Sequence, residues 1–270
     1  MTDSSDLPIE RDYGAYAVVY DRLYGEPLAE AMMPAVEELL LRRLGEGSRI
    51  LEVCCGTGHM ASRLRERGFR VIGLDLSLGM LLMARKNAPQ FPTFLADAAR
   101  FSFKSCFDAI LMLGDGVNHL LRLEEVRSAF GRMAAALRPG GVLVFDMLLD
   151  EQFPGLQSHT NVEMADDFLW VSRGRQLEEG RILEFETTLF LRRDGTRPEM
   201  WRRWDSRSRE RLYDRSEIEE ELRAAGFRHI RLVDAAKDLG SEGGDRRMYF
   251  QAVREEGALS QLPVETPHAR

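Results

Sequence analysis

The fold is decided by residues 50–61, ILEVCCGTGHMA. Apolar residues at positions 50, 51 and 53 predict a buried strand, which Gly56 and Gly58 then end. A helical spacing of apolar residues follows through Met60 and Leu64. Because a strand that ends in glycines and continues as a helix presents backbone N–H groups to a ligand, this stretch predicts a strand–loop–helix binding site.

Two further strands end in acidic residues. The apolar run 71–74 is followed by Asp75, and the run 93–96 is followed by Asp97 and Ala98. A carboxylate at the end of the second strand can accept hydrogen bonds from the hydroxyls of a ribose, and Asp97 is well placed for an adenine amino group. The three strand ends together predict a nucleoside-binding α/β site.

Two nucleoside cofactors compete for this site. Gly56, Gly58 and Ala61 satisfy the dinucleotide fingerprint G-x-G-x-x-A, with Asp75 at about the expected distance. Glu52, however, lies at the end of a buried strand, where an acid is costly unless a cationic or hydrogen-bonding group meets it. The acids that close three successive strands also disfavour a pyrophosphate. These features favour S-adenosylmethionine, whose methionyl end carries an ammonium group, over a nicotinamide dinucleotide.

From about Tyr13 to about Val253 the chain resembles the class I S-adenosylmethionine-dependent methyltransferases. One departure from the family pattern is Cys54, which occupies the position of the first glycine of the usual loop. The stretches that carry the resemblance are LEVCCGTGHMA (51–61), VIGLDLSLGMLLMARK (71–86), FLADAARFSF (94–103), FDAILMLGDGVNHL (107–120) and ALRPGGVLVFDM (136–147).

The resemblance implies S-adenosyl-L-methionine as the cofactor and a role for each part of the site. Glu52 would orient the methionyl end, residues 55–58 would line it with backbone, and Asp75 would bind the ribose. Met80 would pack near the adenine, whose edge Asp97 and Ala98 would contact. The cofactor-binding residues expected are Tyr13, Glu52, Cys54, Cys55, Gly56, Gly58, Asp75, Leu76, Met80, Asp97, Ala98 and Leu113.

Within the family, the chain resembles bacterial aminosugar N-methyltransferases and uncharacterised relatives that carry a D-x-x-N-H/Y-L stretch. This resemblance is carried by YDRLY (20–24), the stretch DGVNHL (115–120) and a closing R-x-Y-F strand that begins at Arg247. It implies a small polar acceptor, methylated at nitrogen rather than oxygen. His119 is the candidate general base, since its ordinary pKa lies near neutrality; the alternative is a loop histidine that caps the next helix. Tyr20 is a second catalytic candidate, although tyrosine there is more often a packing lid.

Strands alternating with helices predict a doubly wound, mostly parallel seven-stranded sheet in a methyltransferase domain spanning residues 13–253. Residues 1–12 are expected to be disordered and 254–270 to form a flexible tail. Before the first strand, two helical stretches are expected, broken around Gly25. Residues 151–213 predict three antiparallel strands inserted after strand five, which would cover the active site or, alternatively, pair two copies in a homodimer.

Composition limits the function classes. The 270 residues carry a net charge of −7, which disfavours nucleic acid as the main partner. No apolar run approaches the roughly 20 residues that span a membrane. Cys54, Cys55 and Cys106 form neither a disulfide framework nor a metal-binding pattern, so we expect no metal and a reducing, cytoplasmic location. An RNA- or protein-modifying methyltransferase and a nicotinamide-dependent oxidoreductase remain the alternatives.

An arginine-dense stretch, residues 200–211, has three interpretations. Its alternate residues share one face of a strand, where arginine could hold an anionic acceptor or stack on RNA. The third interpretation is a solvated face balanced by acids. The residues expected on that face are Trp201, Arg203, Arg207, Arg209 and Arg211, and the balancing acids are Glu179, Glu184 and Glu186.

Overall fold

The structure, a computed structural model, describes residues 16–152, 158–177, 181–193, 200–239 and 247–255. Tyr13, Glu179 and the N-terminal segment expected to be disordered lie outside these ranges. So does the expected flexible tail beyond residue 255, while Arg254 ends the last strand and is buried.

Strands and helices alternate along the first half of the described chain. The strands are β1 (Arg49–Val53), β2 (Arg70–Asp75), β3 (Thr93–Leu95), β4 (Phe107–Met112), β5 (Leu137–Met147), β6 (His159–Met164), β7 (Phe168–Gln176), β8 (Ile182–Arg193), β9 (Met200–Arg211), β10 (Phe227–Asp234) and β11 (Met248–Arg254). The helices are α1 (Ala17–Tyr20), α2 (Glu26–Leu39), α3 (His59–Glu66), α4 (Leu78–Asn87), α5 (Leu123–Ala136), α6 (Arg215–Ala224) and α7 (Ala235–Asp238).

Seven of these strands form the central sheet, in the order β10–β11–β5–β4–β1–β2–β3. The pairs from β5 to β3 are parallel, and β11 is antiparallel to both of its neighbours. Both sheet faces are buried: Leu51 and Val53 pack into one apolar core, and Ile50 packs into the other. The doubly wound fold expected from the sequence is confirmed. Its strand order reverses between β1 and β4, where ligands bind in such folds.

The N-terminal segment is more continuous than its sequence indicates. A π-helical turn, Asp21–Gly25, joins α1 directly to α2, so the expected helical break around Gly25 was wrong. Pro27 lies in the first turn of α2, where a helix needs no N–H donor. The uninterrupted segment carries Tyr16, Tyr20 and Tyr24 across the carboxyl end of the central sheet.

The insertion after β5 is an antiparallel sheet of four strands, β6–β7–β8–β9, rather than the three expected. The strand that the sequence did not predict, β6, is an exposed edge strand and lacks the apolar alternation that indicates a half-buried strand. Trp170 and Leu189 on one face of this sheet pack against Val19 of α1. The N-terminal segment therefore lies between the inserted sheet and the central sheet.

Candidate active site

The loop after β1 takes backbone conformations that favour glycine. Cys54, Gly56 and Gly58 all have positive φ angles, of 57°, 53° and 81° respectively. A Cβ atom at Gly56 would meet nothing within 4 Å, whereas one at Gly58 would lie 3.0 Å from the Cβ of Ala84. Gly56 therefore leaves open space beside the loop, and Gly58 lets α3 pack closely on α4.

Asp75, at the end of β2, holds this loop in place. Its Oδ2 accepts a hydrogen bond from the Gly56 N–H at 2.9 Å, and its Oδ1 accepts one from the Ser77 N–H at 2.8 Å. Burial raises the pKa of Asp75, and the backbone N–H groups of Ser77, Gly56 and Leu76 oppose that rise. One carboxylate thus joins the loop after β1 to the loop after β2.

Glu52 is a buried acid with one unpaired oxygen in the described part of the chain. It is 4% exposed, and its Oε2 has no hydrogen-bond partner among the described residues. Burial raises its pKa to about 8, with a smaller contribution from the charge of Asp75. Glu52 lines a cavity of about 60 Å³ together with Cys55, Gly58 and other residues of the loop. An orphaned carboxyl beside a glycine loop fits the ammonium group of a methionyl moiety.

A larger cavity of about 170 Å³ continues from that loop along the ends of β1, β2 and β4. Asp97 also lines this cavity, and its Oδ1 accepts a hydrogen bond from the Ala99 N–H at 2.8 Å. Burial raises the pKa of the Cys54 thiol, which therefore acts as a small neutral group in the wall. The lining residues that the sequence also predicted are Tyr20, Cys54, Gly56, Asp75, Leu76, Met80, Asp97, Ala98, Leu113 and His119.

A third cavity, of about 260 Å³, lies between the N-terminal segment and the inserted sheet. We call it the outer cavity. Its walls combine aromatic rings, hydroxyl groups and three charged side chains. They are formed by Tyr16, Tyr20, Tyr24, Leu28, Asp115, Asn161, Trp170, Ser172, Phe185, Thr187, Ser206, Ser208, Glu210 and Arg247.

Tyr20 lies where the three cavities meet, since its side chain lines all of them. The Tyr16 ring stacks on Trp170 at 5.8 Å between centroids, and Tyr24 meets Trp170 edge to face at 6.3 Å. Burial, followed by the charge of Asp115, raises the pKa of Tyr20. Tyr20 is therefore a neutral phenol near pH 7, suited to closing the site and to orienting a ligand.

The N-terminal segment is tied to the glycine loop by His59, which the sequence analysis did not select. Its Nε2 lies 2.9 Å from Asp21 Oδ1 and its Nδ1 lies 2.9 Å from Glu26 Oε2. Asn87 donates to both Asp21 Oδ1, at 2.6 Å, and the Thr57 carbonyl, at 2.9 Å. These contacts hold the tyrosines above the cavities.

The loop after β4 is held by Asp146, at the end of β5. Asp146 is fully buried and accepts hydrogen bonds from the N–H groups of Gly114, at 2.7 Å, and Asp115, at 3.2 Å. Arg247 Nη1 donates to Asp146 Oδ2 at 2.7 Å and lies 3.3 Å from Asp115 Oδ2. No group of three potential metal ligands was found among the described residues, and Asp115 and Asp146 meet an arginine instead.

The stretch 115–120 divides into a structural part and a part that reaches the site. Asn118 is fully buried, and its amide donates to the carbonyls of Leu148 and Arg211 at 2.9 and 2.8 Å. It thereby fastens the inserted sheet to the loop after β4. His119 lines the 170 Å³ cavity, and its Nε2 lies 3.9 Å from Oε1 of Glu210 in the outer cavity.

Glu210 and Arg247 are site residues that the sequence analysis did not select as candidates. Burial raises the pKa of Glu210 to about 8; the nearby charge of Asp115 adds to this effect and that of Arg247 opposes it. Arg247 belongs to the R-x-Y-F stretch, which was noted only as a family feature. Glu210 lies within the arginine-dense stretch, which was interpreted through its arginines, so the sequence pattern gave no reason to select this acid.

The odd-numbered arginines of strand β9 lie on the sheet face opposite the outer cavity, and Arg209 among them also lines the 170 Å³ cavity. Cross-strand pairing sets Arg209 beside Glu184 of β8, and Arg209 Nε donates to Glu184 Oε2 at 2.7 Å. Arg175 donates to the other oxygen of Glu184 at 2.7 Å, and Arg203 pairs with Asp205 at 2.8 Å. Acid pairing therefore accounts for much of this face, while the even-numbered residues Ser206, Ser208 and Glu210 line the outer cavity.

Comparison with known proteins finds a matching family and similar sequences. A family described as "Methyltransferase domain" matches residues 50–141. Over 251 residues the chain is 30% identical to the putative methyltransferase GWCH70_2453 of Geobacillus sp. (strain WCH70), covering 90% of this chain and 99% of that protein. In the described part of the chain, no helix has the length and apolar character needed to cross a bilayer.

Two similar proteins have names that state an acceptor. The chain is 35% identical over 135 residues to dTDP-3-amino-3,4,6-trideoxy-alpha-D-glucopyranose N,N-dimethyltransferase of Streptomyces venezuelae, covering 48% of this chain and 56% of that protein. It also resembles a solved structure of SAM-bound CalS10, an amino pentose methyltransferase from Micromonospora echinaspora. That similarity has a TM-score of 0.67 at 25% identity, over 87% of this chain and 96% of that one.

Proposed function

The chain belongs to the S-adenosylmethionine-dependent methyltransferases, and we propose that it methylates the nitrogen of a small polar amine, with amino sugars as the first class to test. The observation that carries this proposal is the outer cavity. It meets the cofactor cavities at Tyr20, and its lining combines aromatic rings, hydroxyl groups and acids.

The cofactor residues act together in this proposal. Glu52 would bind the methionyl ammonium, and Asp75 would accept the ribose hydroxyls while it holds the Gly56 loop. Asp97 and Ala98 would contact the adenine edge, and Met80 would pack against its ring. When bound, S-adenosylmethionine supplies a methyl group carried on a sulfonium sulfur.

The protein has to bring the acceptor nitrogen into line with that methyl group and exclude water. Tyr20 lies at the junction of the cavities, where it can orient the nitrogen through its phenol oxygen. Tyr16 and Tyr24 close the outer cavity from the side of the N-terminal segment. The protein must also accept the proton that an alkylammonium releases before its nitrogen becomes nucleophilic.

Nitrogen is preferred over oxygen for two reasons. The proteins named above that act on amino sugars share sequence and fold with this chain. The acids Asp115 and Glu210 also suit a cation near the reaction centre, because an aliphatic amine is protonated near neutral pH whereas a hydroxyl group is not. His119 lies beside Glu210 and lines the cavity proposed for the cofactor, and it remains a proposed general base.

The size of the outer cavity supports a small molecule over RNA or protein as the acceptor. About 260 Å³ is close to the lower end of small-ligand pockets. An anionic group on the acceptor would have Arg247 as its partner in that cavity. We also propose a reducing, cytoplasmic setting, consistent with the free thiols of Cys54, Cys55 and Cys106. A homodimer through the inserted sheet is the alternative use of that element.

Calorimetry followed by an acceptor screen tests the proposal. We expect binding of S-adenosylmethionine and S-adenosylhomocysteine in the micromolar range and none of NADH. Methyl transfer is then measured by mass spectrometry on pairs of compounds that differ only in an amino or a hydroxyl group, beginning with amino sugars and the parent sugars.

Methylation of the amines but not of their hydroxyl partners is the expected outcome. Transfer to the hydroxyl compounds instead would refute the nitrogen assignment. Binding of NADH with no binding of S-adenosylmethionine would refute the assignment of the cofactor site.

A further inference from the structure

Glu210 is a buried acid in the wall of the outer cavity. It lies on β9 with Ser206 and Ser208, on the sheet face that lines the cavity. It is 8% exposed, so its carboxyl group is buried in the wall of the cavity. The Nε2 atom of His119 lies 3.9 Å from Oε1 of Glu210, beyond hydrogen-bonding distance. A carboxyl buried in this way fits a donor supplied by a ligand.

The charges around the outer cavity favour a cation as that ligand. Arg247 is the positively charged side chain in the lining, and it is already opposed by Asp115 at 3.3 Å and by Asp146 at 2.7 Å. Negative charge is therefore in excess even before Glu210 is counted. The aromatic rings of Tyr16, Tyr24, Trp170 and Phe185 on the remaining walls can also attract a cation through their π faces.

We propose that Glu210 holds the acceptor as its ammonium ion and takes the proton that frees the nitrogen for methylation, with His119 receiving that proton next. This inference rests on the proposed function and adds to it a residue that contacts the acceptor. Glu210 comes from the inserted sheet, so that sheet would provide part of the chemistry as well as a cover.

The proposed reaction is a proton transfer followed by a methyl transfer. The ammonium gives a proton to the Glu210 carboxylate and becomes a neutral amine. The nitrogen lone pair then forms the new N–C bond while the C–S bond breaks, and its electron pair remains on sulfur as the thioether product. The product leaves as a methylated ammonium, and the proton on Glu210 passes through His119 toward solvent, so one proton is released for each methyl group transferred.

The geometry suits Glu210 better than an exposed carboxylate for this step. Burial raises its pKa toward that of an alkylammonium, so a proton moves to Glu210 at less cost than to a carboxylate of ordinary pKa near 4. The groups that share its surroundings are Asp115 and His119 from the loop after β4, Arg247 before β11, and Tyr20 from the N-terminal segment. His119 is 30% exposed and therefore offers a route out of the cavity.

The first test separates cation binding from catalysis. Tetramethylammonium chloride, which cannot lose a proton, is titrated into the protein saturated with S-adenosylhomocysteine. We expect Glu210→Gln to weaken this binding at least tenfold above pH 8, where Glu210 is ionised. Glu186→Gln is the matched control, because Glu186 lies on the same sheet but on its opposite face, next to Arg175, and its affinity should equal that of the wild type. Equal affinity in Glu210→Gln and the wild type would overturn the cation site.

The second test addresses the proton. With the amine that the wild type methylates fastest, kcat/KM is measured against pH for the wild type, Glu210→Gln, Glu210→Asp and Glu186→Gln. A general base typically contributes 10²–10⁴-fold, so we expect a loss of about 100-fold in Glu210→Gln, partial recovery in Glu210→Asp and no change in Glu186→Gln. In the wild type, kcat/KM should rise with pH as Glu210 ionises, and the midpoint of this rise should not move when a more basic amine is used. This rise should be absent in Glu210→Gln.

The two hypotheses fail in different ways. If the wild type methylates amines and Glu210→Gln retains kcat/KM within threefold with an unchanged pH profile, the role of Glu210 is refuted while the proposed function stands. If the wild type binds S-adenosylmethionine and methylates no amine, the proposed function is refuted, and the tetramethylammonium titration still decides whether Glu210 holds a cation. Unfolding curves of each variant check that the loss does not come from misfolding.

Discussion

Replacing Asp75 with alanine tests how one carboxylate serves both the glycine loop and the cofactor. The side chain accepts hydrogen bonds from the N–H groups of Gly56 and Ser77 at 2.9 and 2.8 Å. In the proposed complex it also accepts hydrogen bonds from the ribose hydroxyls. The Asp75→Ala variant loses both sets of bonds, so we expect a change in stability and a separate change in cofactor affinity.

The magnitudes follow from the number and kind of bonds. A hydrogen bond to a charged group contributes about 1.5–3 kcal/mol, and leaving a buried donor unsatisfied costs about 1–3 kcal/mol. Losing the loop contacts should therefore lower the free energy of unfolding by about 2–4 kcal/mol. Losing the ribose contacts should weaken cofactor binding by about 1–3 kcal/mol, which is roughly 5- to 150-fold in Kd.

The assay combines urea unfolding of the free protein with calorimetric titration of S-adenosylhomocysteine. Asp108→Ala is the matched control, because Asp108 also accepts a backbone N–H, that of Arg49 at 2.8 Å, and lies at the opposite end of β4 from the cavities. We expect Asp108→Ala to lose stability and to keep the cofactor affinity of the wild type.

Unchanged Kd in a folded Asp75→Ala protein would refute the ribose assignment. Equal losses of affinity in the Asp75 and Asp108 variants would show instead that destabilisation alone weakens binding.

Two further predictions concern the cofactor loop. Because burial raises the pKa of Glu52 to about 8, the folded protein retains a proton that the unfolded chain loses near pH 4.5, so stability should fall as the pH rises from about 4.5 to about 8. Glu52→Gln should remove that slope in urea unfolding. Cofactor binding should release a proton near pH 7 in the wild type but not in Glu52→Gln. Calorimetry in buffers of different ionisation enthalpy measures this release, and equal release in both proteins would contradict the contact between Glu52 and the ammonium group. Gly58→Ala should destabilise by about 2–4 kcal/mol, from its positive φ and crowding against Ala84. Gly47→Ala, with positive φ and open space, should cost only about 1–2 kcal/mol, and equal losses in thermal unfolding would exclude the crowding.

Local patterns predicted much of the fold. The apolar run ending in Val53, the glycines at 56 and 58, and the acid at 75 are short-range signals, since strand period and backbone conformation depend on neighbouring residues. These signals were sufficient for the seven-stranded sheet and for many of the residues that line the two cavities beside the glycine loop. They were insufficient for β6, whose exposed polar residues show no apolar alternation, and for Gly25, where helical packing overrode a local break signal.

By itself, then, the sequence determined the doubly wound sheet, the cofactor class and the residues at the ends of β1 to β3, because each is encoded within a few consecutive positions. Tertiary structure decided which residues line the outer cavity. Arg247 reaches Asp146 across 101 positions, and Asn118 reaches the Arg211 carbonyl across 93. The first contact depends on the pairing of β11 with β5, and the second on how the inserted sheet packs over the loop after β4. No local period encodes either arrangement. For the same reason, Glu210 appears among arginines in the sequence and beside His119 in the fold.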